Sequence, residues 1–445
     1  MSDRKARAIG GFPEFSPSIR ATELHWIDTI RSVFESYGYC NIETPAVEEL
    51  ATLRAKGDDA DREIYQLTRP GREESLDSRL GLHFDLTVPL ARYVALHYNS
   101  ILFPFKRYQI QRVWRGERPQ EGRFREFTQC DIDVIGHESL ANEFEVELLE
   151  AAIDALSHLG IGDVSFQLSN RKILEGFLRC LGTENAEGCV RVIDKISKIG
   201  IEGASRELHR NGLNPQQIDR CIRFATTTAE IDSFHKLTDA LGYGSELIDS
   251  GMRELEETMR RLSPFAPSGV SISADFSIAR GLNYYTGTIF EGRLTEYPEF
   301  PTICAGGRYE NLLETFARRP LPGVGISIGL TRLFTKAIAV GWAVPLRPSP
   351  TELMLTIDDE SNADRLRELA RDFRRRGINA EVCFGSPILE RQLRYADRRG
   401  IPYVWLYCSR TATHRVRDMN DSSEKAGDPT TWKPERKHSH RAASF

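Results

Sequence analysis

The stretch Phe105-Lys-Arg-Tyr-Gln-Ile-Gln-Arg-Val-Trp-Arg-Gly-Glu-Arg-Pro-Gln-Glu-Gly-Arg-Phe-Arg-Glu-Phe-Thr-Gln-Cys-Asp-Ile-Asp133 decides how the rest of the 445-residue chain is read. Tyr108 and Ile110 share one face of a first predicted strand, and Cys130 and Ile132 share a face of a second. Pro119 to Gly122 carry the turn signals between them. Seven Lys/Arg against three Glu between Lys106 and Glu126 give this hairpin a cationic rim. Guanidinium groups make forked, charge-assisted bonds to phosphate oxygens, so such a rim suits a polyphosphate. It equally suits a solvated edge hairpin kept soluble by its arginines. The hairpin alone leaves both readings open.

Composition narrows the setting. The length favours two or three domains. Hydrophobic residues at 40% and charged residues at 28% are an ordinary globular balance. A net charge of −5 gives no global basic field, so any RNA contact must come from local patches. The eight cysteines form no Cys-x-x-Cys pair, and the ten histidines do not complete metal-ligand spacing beside them. Reduced thiols in a cytoplasmic protein fit that scatter. The N-terminus lacks a signal-peptide core, and no long apolar run is present, so the chain reads as soluble and cytosolic.

Outward from the hairpin, Leu24, Ile27, Ile30, Phe34 and Tyr37 recur at helical spacing before Gly38. Tyr39 to Pro45 reads as a short strand, and 58–78 as a charged loop or arm. Leu80 to Thr87 predicts a strand and Pro89 to His97 a helix. Ala141 to Leu159 predicts a helix, and Val164 to Leu168 a strand. From Arg171 to Leu262 the pattern is nearly all helical, broken at Gly182, Gly200, Gly212 and Gly242. Strand signals return at 270–276, 284–291, 300–307 and 323–328, followed by a helix from Leu330. After the proline-rich stretch 345–350, strand–helix–strand–helix–strand alternation predicts a small α/β domain. The last residues, 436–445, have no period and read as a disordered tail.

Several strings then converge. Gly38-Tyr-x-x-Ile-x-x-Pro45 after an amphipathic helix resembles motif 1 of class II aminoacyl-tRNA synthetases. Arg115-Gly-Glu117 with Arg123-Phe-Arg-Glu-Phe127 resembles motif 2, and Gly323 to Arg332 resembles motif 3. Ser277-Ile-Ala-Arg-Gly-Leu-Asn-Tyr-Tyr-Thr-Gly287, Ala305-Gly-Gly-Arg-Tyr309 and His83-Phe-Asp-Leu-Thr-Val-Pro89 are similar to segments of the histidyl-tRNA synthetase family.

That resemblance implies an α+β fold: an antiparallel class II sheet flanked by helices, a helical insertion and a C-terminal α/β anticodon-binding domain. The corresponding boundaries are 1–170 and 266–345 for the catalytic domain, 171–265 for the insertion and 350–435 for the anticodon domain. It implies activation of histidine with ATP and Mg2+, transfer to histidine tRNA, and a homodimer through motif 1. Arg115 and Arg280 would act on the α-phosphate and the amino-acid carboxylate. Glu117, Arg123, Phe127 and Arg332, with Arg115, would bind ATP. Asp85, Leu86, Thr87 and Gln129 match the α-amino contacts. Asp133, Tyr284, Tyr285 and Tyr309 match the imidazole pocket, and Arg118 and Gln120 the tRNA acceptor end.

Each residue also has a plainer reading: Asp85 as a helix cap, Asp133 as the partner of a structural arginine, and His83 as a strand residue. Asn283, Glu310 and Thr331 depart from the family's common Asp, Asp and Glu. A synthetase paralogue in specialised metabolism or inhibitor resistance is therefore kept as an alternative. A histidine-binding regulatory subunit without charging activity is another.

Overall fold

The computed structural model describes residues 6–54, 63–68, 79–279, 285–310, 321–385 and 387–435. The described helices are α1 (Pro17–Ser36), α2 (Leu50–Leu53), α3 (Thr87–His97), α4 (Glu143–Ser157), α5 (Arg171–Leu181) and α6 (Ala186–Arg210). They continue with α7 (Pro215–Ala225), α8 (His235–Leu241), α9 (Glu246–Leu262), α10 (Leu330–Val340), α11 (Ala363–Arg375) and α12 (Leu389–Arg398). The strands are β1 (Cys40–Asn41), β2 (Val47–Glu49), β3 (Gln66–Leu67), β4 (Leu80–Leu82), β5 (Phe105–Trp114) and β6 (Glu126–Ile135). Then come β7 (Val164–Asn170), β8 (Thr228–Ala229), β9 (Val270–Asp275), β10 (Thr288–Leu294), β11 (Cys304–Tyr309) and β12 (Gly323–Gly329). The last are β13 (Leu353–Leu355), β14 (Ala380–Val382), β15 (Tyr403–Cys408), β16 (Thr413–Asp418) and β17 (Glu424–Ala426).

These elements fall into two compact units: Met1–Pro13 with Thr29–Ala343, and Glu14–Asp28 with Val344–Phe445. The first unit is built on a nine-stranded sheet in the order β1-β5-β6-β12-β11-β10-β7-β9-β8. All its pairs are antiparallel except β1 with β5 and β7 with β9. The predicted antiparallel sheet flanked by helices is therefore present. Its longest ladder is the β5–β6 hairpin near the β1 end, ten pairs from Phe105↔Ile135 to Trp114↔Glu126.

Alternation along β6 sorts the sheet into two faces. Cys130, Ile132 and Val134 are fully buried in the apolar layer, with α4 and α10 packed on this part of the sheet. Gln129, Asp131 and Asp133 stand on the opposite face. Hydrophobic burial on the first face is what holds the second in register, since a one-residue slip would exchange them.

The helical segment between β7 and β9 follows its glycine breaks. Gly182 and Gly242 end α5 and α8 in the left-handed region, and Gly200 kinks α6 with φ 69°. Asn170, Asn214 and Ser245 cap α5, α7 and α9 through their side chains. Phe177, Phe224 and Phe276 stack at 4.3 and 4.8 Å between ring centroids, tying α5 and α7 to the end of β9. The short strand β8 within this segment pairs with β9 and was not expected from the sequence.

The second unit has a five-stranded sheet, β14-β13-β15-β16-β17, parallel across the first three strands and antiparallel beyond. Leu353, Leu355, Phe373 and Trp405 are fully buried at its core. The predicted alternation accounts for β13, α11, β14, α12 and β15; β16 and β17 are additional. The first half of α1 belongs to this unit, where the Thr22 hydroxyl accepts from the Leu346 amide at 2.9 Å. That division of α1 was not foreseen from its single apolar stripe.

Candidate active site

The polar face of the sheet is assembled by register. Arg107 of β5, Asp133 of β6 and Gly325 of β12 face one another across the strands, and Gly307 of β11 continues the row. The next row holds Gln109, Asp131, Ser327 and Ala305. The β5 residues expected to form a rim are partly interior: Arg107 is 0% exposed. Its Nη2 lies 2.5 Å from Asp133 Oδ2, so the cationic rim loses this member to a buried ion pair.

Asp133 is held from a second side. The Tyr309 hydroxyl donates to its Oδ1 at 2.8 Å. Glycines make room for this arrangement. A Cβ at Gly325 would lie 2.1 Å from Asp133 Oδ1, and one at Gly323 would lie 2.3 Å from the Tyr309 ring. A Cβ at Gly307 would stand 2.8 Å from the ring of Tyr285. The glycines thus serve as floor for the side chains above them. Burial and the nearby carboxylates, Asp133 foremost, push the Tyr285 and Tyr309 phenols upward, so both remain protonated donors.

Asp85 accepts from the Val88 amide at 3.0 Å and starts α3, which ends the predicted 80–87 strand at Leu82. It is a helix-starting residue and a buried carboxylate in the neighbourhood of Asp131 and Tyr285. Leu86 is fully buried, and Thr87 is the half-buried first residue of α3. Gln129 donates through Nε2 to the Ser327 hydroxyl at 2.5 Å. His83 is fully buried, hydrogen-bonded to the Arg112 carbonyl at 2.7 Å, with desolvation lowering its pKa. It lies one residue past the end of β4, not in the strand.

At the other end of the hairpin, Arg115 donates to the Phe84 carbonyl at 3.0 Å and lies over the Phe127 ring at 5.1 Å. Arg123 and Glu117 sit 3.5 Å apart. Gln120 and Arg123 close the turn as an isolated bridge, leaving Arg118 and Gln120 exposed at its tip. Arg332, from the first turn of α10, reaches the carbonyls of Gly122 and Thr302 at 2.6 and 2.5 Å. The motif 3 arginine and the motif 2 turn therefore meet. Thr331 accepts from the Thr128 amide at 2.9 Å, tying α10 to β6. Arg280, Tyr284 and Asn283 lie outside the described residues, whereas Glu310 is exposed at the end of β11.

Three residues near these groups escaped the sequence. Arg107 read as rim charge. Glu63, in the charged arm, has its pKa raised by burial and then by Glu117, with Arg115 and Arg123 opposing. Asp131 is 3% exposed, and desolvation pushes its carboxyl up to about 7. The alternation of β6 already placed Asp131 beside Asp133, which was the available signal.

A family model for histidyl-tRNA synthetase matches residues 11–333. The chain belongs to the histidyl-tRNA synthetase family. It is similar to the histidine–tRNA ligase of Thermobifida fusca, with 45% identity covering 95% of this chain and 97% of that one. The crystal structure of a histidyl-tRNA synthetase from a Nostoc species aligns with a TM-score of 0.82 and 36% identity, covering 95% and 97% of the two chains. A chain from Bacillus halodurans described as an ATP phosphoribosyltransferase regulatory subunit/histidyl-tRNA synthetase aligns at TM-score 0.73, covering 88% and 97%. At 19% identity that likeness shows the shared fold alone. Among the described residues of this synthetase-family chain, no helix is long and apolar enough to cross a membrane.

Proposed function

We infer that this chain is a histidine–tRNA ligase, which joins histidine to ATP as histidyl-adenylate and passes it to histidine tRNA. The observation that carries this reading is Asp133: a buried carboxylate gripped by Arg107 and Tyr309 over a glycine floor. Such an acceptor rewards a ring N–H, and a side chain that cannot donate leaves its remaining acceptor capacity unmet. Tyr285 and Tyr309 add protonated phenols to the same pocket.

In this reading Asp85, Leu86, Thr87 and Gln129 surround the α-amino group. Arg115, on Phe127, takes the α-phosphate and the carboxylate, stabilising the charge that gathers in the transition state. Arg280 does the same from another segment. Arg123 and Glu117 attend the outer phosphates, and Arg332 the nucleotide. Arg118 and Gln120 meet the acceptor end of the tRNA.

Mg2+ binds through one or two carboxylates plus substrate phosphates, and Glu117 with Glu63 beside Arg115 and Arg123 is such a donor set. Its contribution there would be charge neutralisation on the phosphates. The unit containing residues 344–445 serves anticodon binding, the chain acts as a cytoplasmic homodimer, and residues 171–265 are an insertion in the catalytic domain. Retention of Arg115, Arg123, Phe127 and Arg332 disfavours a purely regulatory role.

The test is charging of a histidine tRNA transcript beside a non-cognate one. Histidine attached to the former alone is expected. Pyrophosphate exchange with histidine but no charging would favour a paralogue with another acceptor.

A further inference from the structure

We propose that Asp131 is a specificity residue of the histidine pocket, its carboxylate receiving the substrate's α-ammonium together with the Gln129 side-chain carbonyl. The proposal rests on the ligase reading given above and adds a contact to it.

Four observations lead there. Asp131 is the same-face neighbour of both Gln129 and Asp133 on β6, between the end assigned to the α-amino group and the end assigned to the imidazole. Same-face positions of a strand are about 6.8 Å apart, on the scale that separates the ammonium of a histidine from its ring. Asp131 Oδ1 and Gln129 Oε1 are both buried without a hydrogen-bond partner among the described residues. Native proteins rarely leave two adjacent acceptors so, unless a ligand completes them.

The Ser327 hydroxyl then fixes what kind of ligand. Gln129 Nε2 donates to this hydroxyl, and the hydroxyl in turn hydrogen-bonds the Asp131 carboxylate. Gln129 therefore has its amide N–H turned to Ser327 and its carbonyl left over, while Asp131 has one oxygen left over. On Gln129 and Asp131 themselves this leaves two spare acceptors and no spare donor, and the Arg107 guanidinium is engaged with Asp133. The pair therefore calls for a group with at least two N–H bonds. An ammonium supplies three.

Charge agrees. The groups acting on Asp131 are Arg107 of β5, Asp133 of β6, Asp85 before α3 and Ser327 of β12. Asp131 and Asp133 in turn act on Tyr285, ahead of β10. Arg107 is already the partner of Asp133. A bound cation is what this end of the pocket needs, and it would draw the proton from Asp131. Binding of histidine near neutrality then releases a proton from the protein, so affinity falls as the pH drops below about 7.

The experiment compares the full-length chain with Asp131→Asn, which keeps the shape and removes the charge. KM values come from pyrophosphate exchange, and inhibition constants are taken for imidazolepropionate, which lacks the α-ammonium. The variant should raise the histidine KM by about tenfold or more and leave ATP KM and imidazolepropionate binding nearly unchanged. Between pH 8 and pH 6 its histidine KM should rise less steeply than that of the unaltered chain; the titration of free histidine is common to both and cancels. Equal losses for histidine and imidazolepropionate, an unchanged histidine KM, or parallel pH profiles would overturn the assignment. Failure of the unaltered chain to exchange with histidine would instead bring down the ligase reading itself.

Discussion

At Asp133 a single buried carboxylate bears on stability and, in the proposed function, on selectivity. Arg107→Leu strips its ion-pair partner and should destabilise the fold by about 3–5 kcal/mol, read from the denaturant midpoint, because the uncompensated charge remains inside. Tyr309→Phe removes one donor to a charged group. It should raise the histidine KM by roughly 10- to 100-fold with the unfolding midpoint nearly kept. A similar rise in ATP KM would speak against a pocket role. Asp131 runs in the opposite direction. Its carboxyl sits near 7 folded and near ~3.9 unfolded. Between those values the folded chain binds the extra proton, so this contribution favours folding at low pH and is lost as pH rises through 7. Without ligand, Asp131→Asn should therefore raise the melting temperature more at pH 8 than at pH 5; an equal shift at both would contradict the burial argument. Tyr309 was singled out through the family string that ends on it, and Asp133 through the wider resemblance, and the two are in contact. Arg107 and Asp131 were not, since a charged side chain in a local window reads as surface. Only its partner on the next strand shows otherwise.

The elements show where local pattern suffices. Helix periods and glycine stops located α1, α4, α5, α6 and α9, because amphipathic faces and left-handed glycines act within a few residues. The strand expected through Thr87 stopped at Leu82, since Asp85 starts α3 through the Val88 amide. Strands β16 and β17 were missed: Thr413 to Asp418 is mostly polar, and its pairing with β15 is set by tertiary contact. Motif 3 gains a physical reason in β12, whose glycines clear space for Asp133 and Tyr309. Gly325→Ala should abolish histidine-dependent exchange while ATP binding persists, as followed by equilibrium dialysis. Normal exchange would show that the strand can yield. Thr331, the departure from the common Glu, holds the Thr128 amide; Thr331→Ala should cost about 1–3 kcal/mol in unfolding free energy by leaving that amide unpaired.

On the scale of the whole molecule, the two units are built by different rules: a mostly antiparallel sheet in one, and a parallel-centred sheet with two helices in the other. Because Glu14–Asp28 belongs with Val344–Phe445, a chain ending at Ala343 should lose amide-exchange protection over Pro17–Asp28. Retained protection there would show that this half of α1 folds without its unit. In the proposed function, pocket and phosphate groups come from β5, β6, α3, β11, β12 and α10, which the strand order of the sheet and the helices on it assemble. The central claim is that this assembly selects an imidazole. Its most direct test is ATP–pyrophosphate exchange run with each standard amino acid in turn. Exchange with histidine alone is the predicted result. Exchange with none, or with a residue lacking a ring N–H, would contradict it.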